Sequence, residues 1–212
     1  MSYLILQAPG LPSRFDCEGN IDRRDRIKAS LGEVYVCESW PKFVCLDDPD
    51  ALAPRGRVRS DDARARAYRF DGLRVRSPKS KVLTQAADGA RLVCRNVELR
   101  KGQVLTYRWN FLAWGSMPWN DFAGFEMVPD DPADHGQPLE VLCDLAELAN
   151  RGRKSSGWHE QSWELLHPFR GSLVWIAASG QAVTNPNHFR LSSSAYANPS
   201  ALLLDDIRVS SH

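Results

Sequence analysis

Apolar and polar residues alternate most regularly over residues 104–128, VLTYRWNFLAWGSMPWNDFAGFEMV. Four large apolar residues of its first half share one parity: Leu105, Tyr107, Trp109 and Phe111. The residues between them are polar. Because successive side chains of a strand point to opposite faces, this period of two predicts a half-buried β-strand. A loop over residues 112–121 leads into a predicted return strand that ends near residue 128.

Shorter apolar runs, bounded by turn residues, recur along the rest of the chain. They predict strands over residues 3–6, 33–37, 42–46, 68–76, 81–85, 91–99, 139–143, 158–166, 171–178 and 201–210. Residues 86–90 are predicted to turn at Asp88 and Gly89, and residues 47–62 to form an exposed loop. A helix is predicted over residues 144–150, with Asp144 as its N-cap and Glu147 three residues later.

The closing strand shows a change of parity. Leu202 and Leu204 share one parity, whereas Ile207 and Val209 share the other. A β-bulge at Asp205 and Asp206 would return both pairs to the core.

This density of strands, with turn signals every eight to twelve residues or so, predicts an all-β fold, an antiparallel β-sandwich with one or two short helices. Connections longer than two-residue hairpins favour a jelly roll over a meander. We expect one jelly-roll domain over residues 1–212, because a chain of this length can enclose a large core.

Composition is that of an ordinary globular protein, with 43% hydrophobic and 25% charged residues. We expect no membrane span, because no window approaches about 18 uninterrupted apolar residues. The start of the chain lacks a basic n-region, so no secretory signal peptide is predicted. The five cysteines contain no CxxC pair, which favours buried reduced thiols over a zinc site, although spacing leaves a Cys37–Cys45 bridge open.

Net charge is +1, but it is unevenly distributed. Residues 51–81 hold ten Lys or Arg against three Asp, and residues 109–150 hold no Lys or Arg against eight Asp or Glu. If both are exposed, they form a basic and an acidic region.

Several motifs in order resemble a known class of domain. They are AYRFDGLRVRSPKSKVLTQ, KGQVLTYRWNFLAWGSMPWNDFAGFEM, SGWHEQSWELL and GSLVWIAASGQAVTNPNHFRLSSSAYANPSALLLDDIRV. Over residues 65–210 the chain resembles β-sandwich domains of bacterial surface, adhesin-like and matrix proteins, which are similar to the jelly rolls of carbohydrate-binding modules. Residues 1–64 would add N-terminal strands and loops. The resemblance implies extracellular, lectin-like binding or adhesion.

The same resemblance implies a structural calcium ion. In such modules an Asp at the position of Asp205 binds calcium together with an N-terminal acidic residue, here Glu18 or Asp16. Calcium accepts six to eight oxygen ligands in loose geometry. The alternative is that these carboxylates cap turns or face solvent.

Tryptophans and polar residues in the loop 112–121 predict a ligand site formed by Trp114, Trp119, Asn120 and Asp121. Indoles stack on the apolar C–H faces of sugar rings, and adjacent amide or carboxylate groups hydrogen-bond hydroxyls. The alternative is that Asn120 and Asp121 only build a turn.

Arginines spaced by two within residues 55–76 are compatible with an anionic ligand, or with a solvated loop and a protected edge strand. The near-zero net charge and the lack of a nucleic-acid motif argue against nucleic acid.

Nothing nominates a catalytic set. The histidines have no HExxH spacing, no GxSxG occurs, and Glu126 with Asp121 or Glu164 is only a conceivable carboxylate pair.

Three functions remain open from the sequence. The first is a non-catalytic module that binds carbohydrate or a cell-surface ligand and contains calcium. The second is a structural subunit that self-associates through its acidic and basic regions. The third is a polysaccharide-active enzyme on the same fold.

Overall fold

The structure is a computed structural model that describes residues 10–12, 14–22, 43–46, 67–113, 115, 117–183 and 200–211. The predicted strands 3–6 and 33–37 and the loop 47–62 lie outside these residues. Residues 51–66 of the basic stretch, Trp114 and Cys37 also lie outside them.

Two antiparallel sheets contain the described strands. Their bounds are β1 Phe15–Glu18, β2 Asn20–Asp22, β3 Phe43–Leu46, β4 Tyr68–Arg69, β5 Arg74–Arg76, β6 Leu83–Leu99, β7 Gln103–Leu112, β8 Phe122–Pro129, β9 Gln137–Asp144, β10 His159–Glu164, β11 Phe169–Ala182 and β12 Ala201–Ser211. A short helix, α1, spans Leu145–Asn150. The first sheet has the order β1-β6-β11-β8-β9, with β4 and β5 also paired to β6, and the second has the order β10-β7-β12-β3-β2.

The predicted antiparallel β-sandwich is confirmed. From β6 onwards the chain passes repeatedly between the two sheets, with β6, β8, β9 and β11 in the first and β7, β10 and β12 in the second. Repeated crossing between two antiparallel sheets is the arrangement of a jelly roll.

The core lies between the sheets, and the predicted apolar parity of β7 faces it, although Thr106 and Asn110 of the polar parity are buried as well. Leu105, Tyr107 and Phe111 have no exposed surface, and Trp109 is 4% exposed. Aromatic rings fill the centre, where Tyr107 packs edge-on against Trp175 with 5.5 Å between ring centroids.

The predicted bulge in β12 is also confirmed. Its pairing with β7 shifts register between Asp205 and Arg208, and Asp206 has φ of 50°. The extra residue turns Leu204 and Ile207 to the same side, and both belong to the core.

The predicted turn at residues 86–90 is wrong, because β6 runs unbroken through it. The pairing of β6 with β11 instead contains an irregularity between Ala178 and Gly180. Only glycine fits at residue 89, because a Cβ added there would lie 2.1 Å from the Ala177 carbonyl oxygen. A turn does occur nearby, at Asp71 and Gly72, where it divides the predicted strand 68–76 into β4 and β5.

A second apolar cluster covers the outer face of the first sheet. Phe70 and Val75 pack there against Val93, Phe122 and Ile176. The segment from β4 to β5 therefore protects this face, and Arg91 lies over the Tyr68 ring at 4.0 Å from its centroid.

The acidic stretch does not form the acidic surface that its charge predicted. Asp121, Asp144 and Glu147 are buried, and Glu126 and Glu140 are partly buried. Only Asp130, Asp131 and Asp134 of the stretch are exposed.

The thiols of Cys45, Cys94 and Cys143 are free and buried, whereas that of Cys17 is free and exposed.

Among the described residues, no helix has the length and apolar character needed to cross a membrane.

Candidate functional site

The last residues of the loop before β8 pair with β11 and so lengthen β8 at its N-terminal end. The β8–β11 pairing places Phe122 opposite Ala178, and a further bridge places Trp119 opposite Gln181. Asn120 donates its backbone N–H to Gly180 at 2.7 Å, and Ala182 donates to Pro118 at 2.9 Å. Trp119 therefore stands on an extension of the sheet rather than on a free loop.

Asn120 lies behind this extension, with no exposed surface. Its amide nitrogen donates to Thr84 Oγ1 at 2.8 Å and to Asp144 Oδ2 at 3.0 Å, and its amide oxygen accepts from the backbone N–H of Ala146 at 2.9 Å. The side chain thus joins the loop to β6 and to the start of α1.

Asp121 is also buried, on the opposite side of the extension. Ser179 Oγ donates to one carboxylate oxygen at 2.9 Å, and Ser200 Oγ donates to the other at 2.6 Å. Gly115 passes so close that an added Cβ would lie 2.7 Å from Asp121 Oδ2. This carboxylate therefore ties the loop to the end of β11 and to the residue before β12.

Asp144 completes the network, and its predicted role as N-cap of α1 is confirmed. One carboxylate oxygen accepts from the backbone N–H of Glu147 at 2.9 Å, and the other accepts from Ser80 Oγ at 2.5 Å. A side-chain acceptor at this position satisfies a free N–H of the first helical turn. The buried network fixes the loop because each buried polar group has a partner whose loss would be costly.

Trp119 is partly exposed and begins a row of side chains across four strands. Gln181 lies opposite Trp119, Gln85 opposite Gln181, and Arg74 opposite Gln85. Residues directly opposite each other in antiparallel strands project from the same face. Since neighbouring strands lie about 4.8 Å apart, the row extends over about 15 Å. We call these four residues the Trp119 ledge.

Three of the four ledge residues are exposed to solvent, and Trp119 is partly exposed. Gln181, Gln85 and Arg74 are exposed. In the described part of the chain, none of the four side chains hydrogen-bonds another residue or forms an ion pair.

A second row runs alongside the ledge. Arg76 lies opposite Leu83, and Val183 donates its backbone N–H to Leu83 at 2.8 Å. Val183 is 37% exposed, and Arg76 is exposed. The surface around the ledge therefore combines apolar side chains with guanidinium groups.

Of the four predicted ligand-binding residues, the structure brings only Trp119 to the described surface. Asn120 and Asp121 are buried on opposite sides of the extension and hold it in place, and Trp114 is outside the described residues. The sequence analysis missed Gln85 and Gln181, and it considered Arg74 only as part of the arginine row, apart from Trp119. Alternation of exposed and buried residues marks each strand end, but only the pairing of distant strands brings them together.

The predicted metal ligands Glu18 and Asp205 are not brought together. Glu18 lies on the outer face of the first sheet, where it pairs with Arg91 and Arg95. Asp205 lies in the second sheet, with its carboxylate 3.6 Å from Arg108. Packed sheets lie about 10 Å apart, so these two carboxylates do not fit a shared calcium site.

Asp16, the other N-terminal candidate, pairs with Arg14 and Arg95. Among the described residues, no group of three or more His, Cys, Asp or Glu side chains is arranged to hold a metal ion. The structural calcium ion stays a prediction.

The carboxylates considered for catalysis, Glu126 with Asp121 or Glu164, are also separate. The buried Asp121 carboxylate accepts hydrogen bonds from Ser179 and Ser200. Glu126 faces outward from the first sheet beside Val174, and Glu164 is exposed on β10 of the second sheet. Burial raises the pKa of Glu126, and the charge of Arg91 opposes that change. The two groups do not share a cleft of the kind that glycoside hydrolysis requires.

Comparison with known proteins finds likeness among solved structures alone. No protein-family model matches the chain, and no curated protein matches its sequence. Among solved structures, the chain is similar to the carbohydrate-binding module TmCBM61 in complex with β-1,4-galactotriose. The TM-score is 0.36, the sequence identity is 10%, and the alignment covers 100% of both chains.

Proposed function

We propose that this protein is a non-catalytic binding module whose ligand is a carbohydrate, and that the ligand lies along the Trp119 ledge. The observation that carries the proposal is the row Trp119, Gln181, Gln85 and Arg74 on one face of the sheet. It combines one aromatic surface with side chains that donate and accept hydrogen bonds.

The chemistry of the row suits a sugar chain. The indole of Trp119 offers an apolar face for the C–H groups of a sugar ring. Each glutamine amide has two donor hydrogens and an acceptor oxygen, so it can bond neighbouring hydroxyls as donor and acceptor. A binding site with a few polar groups placed around an apolar surface is typical for small ligands.

Rigidity of the ledge supports affinity. Asn120 and Asp121 fix the backbone on both sides of the Trp119 extension through five side-chain hydrogen bonds to other parts of the protein. A surface that is ordered before binding loses less conformational entropy when the ligand arrives.

The arginine end of the ledge favours an acidic sugar. Arg74 and Arg76 lie on β5, and guanidinium groups form paired hydrogen bonds with carboxylate or sulfate oxygens. We therefore expect tighter binding to glycans that contain uronic acid or sulfated residues than to their neutral counterparts.

A glycan array tests the proposal, with wild-type protein and a Gln85→Ala/Gln181→Ala variant compared on neutral and acidic oligosaccharides. The wild-type protein should bind a defined set of glycans on the array, and the variant should not bind them. The control is Leu166→Ala, which removes a side chain that is 67% exposed near the opposite end of β11. Retention of the same glycans by the double variant would contradict the ledge, and an array without retained glycans would contradict the proposed ligand class.

A chelator arm of the same array addresses calcium separately. If an ion supports the fold or the site, EDTA will reduce retention and added calcium will restore it. Unchanged retention in EDTA would show that binding does not need the ion.

A further inference from the structure

The end of the sandwich that carries the Trp119 ledge has a second charged feature. It is formed by the last residue of β5, by the turn 77–81 between β5 and β6, and by the loop 151–154 after α1. Six exposed cationic residues belong to these segments: Arg76, Lys79, Lys81, Arg151, Arg153 and Lys154. We call these six residues the basic band.

One buried carboxylate brings the turn and the loop together. Glu147 is 6% exposed, and its Oε1 lies 3.6 Å from Lys79 Nζ and 3.3 Å from Arg151 Nη2. Because the two cationic groups share this oxygen, they lie closer together than the screening length of about 8 Å at physiological ionic strength. Their positive charges therefore act on the same region of solvent.

The acidic side chains around the band do not cancel its charge at the surface. Asp144 and Glu147 are buried. Glu140 is partly exposed, and it lies within electrostatic reach of the band, because burial raises the pKa of its carboxyl group and the charge of Lys79 lowers it. Six exposed cations thus accompany two buried carboxylates and one that is partly exposed.

The turn 77–81 is fixed to the protein and to the same residue as the ledge. Ser80 Oγ donates to Asp144 Oδ2 at 2.5 Å, and Lys79 Nζ donates to the Leu142 carbonyl at 3.3 Å. Asp144 Oδ2 also accepts from the amide of Asn120 in the ledge extension. The turn and the ledge therefore keep a constant position relative to each other.

The loop 151–154 is fixed through its backbone. Arg153 donates its N–H to the Leu148 carbonyl at 2.9 Å, and the Lys154 carbonyl accepts from the N–H of Ala113 at 2.9 Å. The charged side chains of the loop thus project from an ordered backbone. Order of this kind reduces the conformational entropy that is lost when a ligand binds.

The band continues the ledge at its arginine end. Arg74 of the ledge and Arg76 of the band are two residues apart on β5, which corresponds to about 7 Å along a strand. Arg76 Nη1 donates to the Lys81 carbonyl at 3.0 Å, so its guanidinium group lies at the turn. A linear ligand that lies on the ledge and extends past Arg74 along β5 therefore reaches the band.

The side chains of the band suit a ligand with repeated negative charges. Guanidinium groups form paired hydrogen bonds with sulfate or carboxylate oxygens, and ammonium groups act as point charges. Sites for single-stranded nucleic acid combine cations with aromatic side chains that stack on bases. The turn 77–81 and the loop 151–154 contain no aromatic residue, which favours a charged polysaccharide over nucleic acid.

We propose that the basic band is a second subsite, which binds sulfate or carboxylate groups of the same polysaccharide chain that occupies the Trp119 ledge. The inference rests on the proposed carbohydrate function, and it defines the ligand as a linear polyanion that is longer than the ledge. The ledge contacts sugar rings through Trp119 and the glutamine amides, and the band adds contacts to charged groups farther along the chain.

Heparin fragments of two lengths test the second subsite. Calorimetric titration measures the Kd of a tetrasaccharide and of a decasaccharide for wild type and for Arg153→Gln/Lys154→Gln, which leaves Lys79 and Arg151 paired with Glu147. Wild type should bind the decasaccharide at least about tenfold more tightly than the tetrasaccharide, because the second subsite is engaged within one chain. The double variant should lose at least about fivefold in affinity for the decasaccharide and less than about twofold for the tetrasaccharide.

The matched control is Arg100→Gln/Lys101→Gln. It removes two exposed cations from the turn after β6, at the opposite end of the sandwich. Both Kd values should stay within about twofold of wild type, because charges beyond the screening length contribute little. Trp119→Ala should weaken binding of both fragments.

Four results would overturn the second subsite. They are no binding of the decasaccharide, equal Kd values for the two lengths, an equal loss of affinity in the control variant, and oligothymidylate binding as tight as that of the decasaccharide with the same dependence on Arg153 and Lys154. Failure of the ledge is distinguishable from these results. In that case Trp119→Ala would leave both Kd values unchanged, whereas Arg153→Gln/Lys154→Gln would still weaken binding of the decasaccharide and support the band as an anionic polysaccharide site.

Discussion

Asn120 shows how a residue that resembles a ligand contact can instead support the site. Both functional groups of its amide are engaged inside the protein, with Thr84, Asp144 and Ala146. The sequence shows a Trp-Asn-Asp run and leaves open whether it builds a turn or a binding surface. The outcome is a third arrangement, because the partners come from β6, β9 and α1, which are distant along the chain.

We predict that Asn120→Ala lowers the free energy of unfolding by about 2–4 kcal/mol, because it leaves several buried polar groups without a partner. Denaturant unfolding measures this change. The matched control is Gln181→Ala, which removes an exposed amide of the ledge and should change stability by about 0.5 kcal/mol or less. Equal stability of the two variants would contradict the supporting role of Asn120.

Glu126 provides a prediction of pH dependence. Burial raises the pKa of its carboxyl group in the folded state, so the folded protein binds this proton more tightly than the unfolded chain does. Stability contributed by this group therefore falls as pH rises from its unfolded pKa through its folded pKa. Glu126→Gln should be more stable than wild type at pH 7, and the difference should shrink as pH is lowered towards 4.

Thermal or denaturant unfolding at several pH values tests this sign. Glu98→Gln is the control, because the Glu98 side chain is 72% exposed and its ion pair with Arg170 lies at the surface. A Glu126→Gln variant that is less stable than wild type at pH 7 would contradict the desolvation argument.

At the scale of elements, the bulge in β12 was predictable because local sequence determines it. The change of parity between Leu204 and Ile207 requires one extra residue if both are to reach the core. The continuous course of β6 was not predictable in the same way. Asp88 and Gly89 have strong turn propensity, but pairing with β11 and β4 keeps this part of the chain extended.

Because of the bulge, glycine and valine should rank in opposite order of stability at two positions of β12. Asp206 has a positive φ of 50°, which a β-branched residue adopts poorly. We therefore expect Asp206→Val to be about 1–2 kcal/mol less stable than Asp206→Gly. At exposed Ser210 in the same strand, valine should be at least as stable as glycine, because the backbone there is extended. The same order at both positions would show that the bulge is not formed.

At the scale of the whole molecule, the sandwich followed from hydrophobic period and turn spacing, whereas the candidate site did not. Trp119 was predicted because it lies in a loop next to Asn120 and Asp121, which local sequence shows directly. Gln85, Gln181 and Arg74 join it only through the pairing of β5, β6, β11 and the extension of β8. Such long-range register has no local signal in a single sequence.

The uneven distribution of charge along the sequence does not become two opposite surface regions in the folded protein. Most of the acidic stretch is used inside the protein, where Asp121 and Asp144 hold the loop. From the basic stretch, Arg74 is exposed in the ledge and Arg76 is exposed beside it. This distribution favours recognition of an acidic ligand at that end over pairing of two opposite patches between copies of the chain.

Calorimetric titration of wild type and Trp119→Ala with the best glycan from the array tests the central claim most directly. Trp119 is partly buried, so its truncation should cost some stability, and denaturant unfolding first establishes that the variant is folded. We predict a loss of affinity of at least about tenfold, which corresponds to about 1.4 kcal/mol of binding free energy. An unchanged Kd in a folded Trp119→Ala protein would contradict the assignment of the ledge as the carbohydrate site.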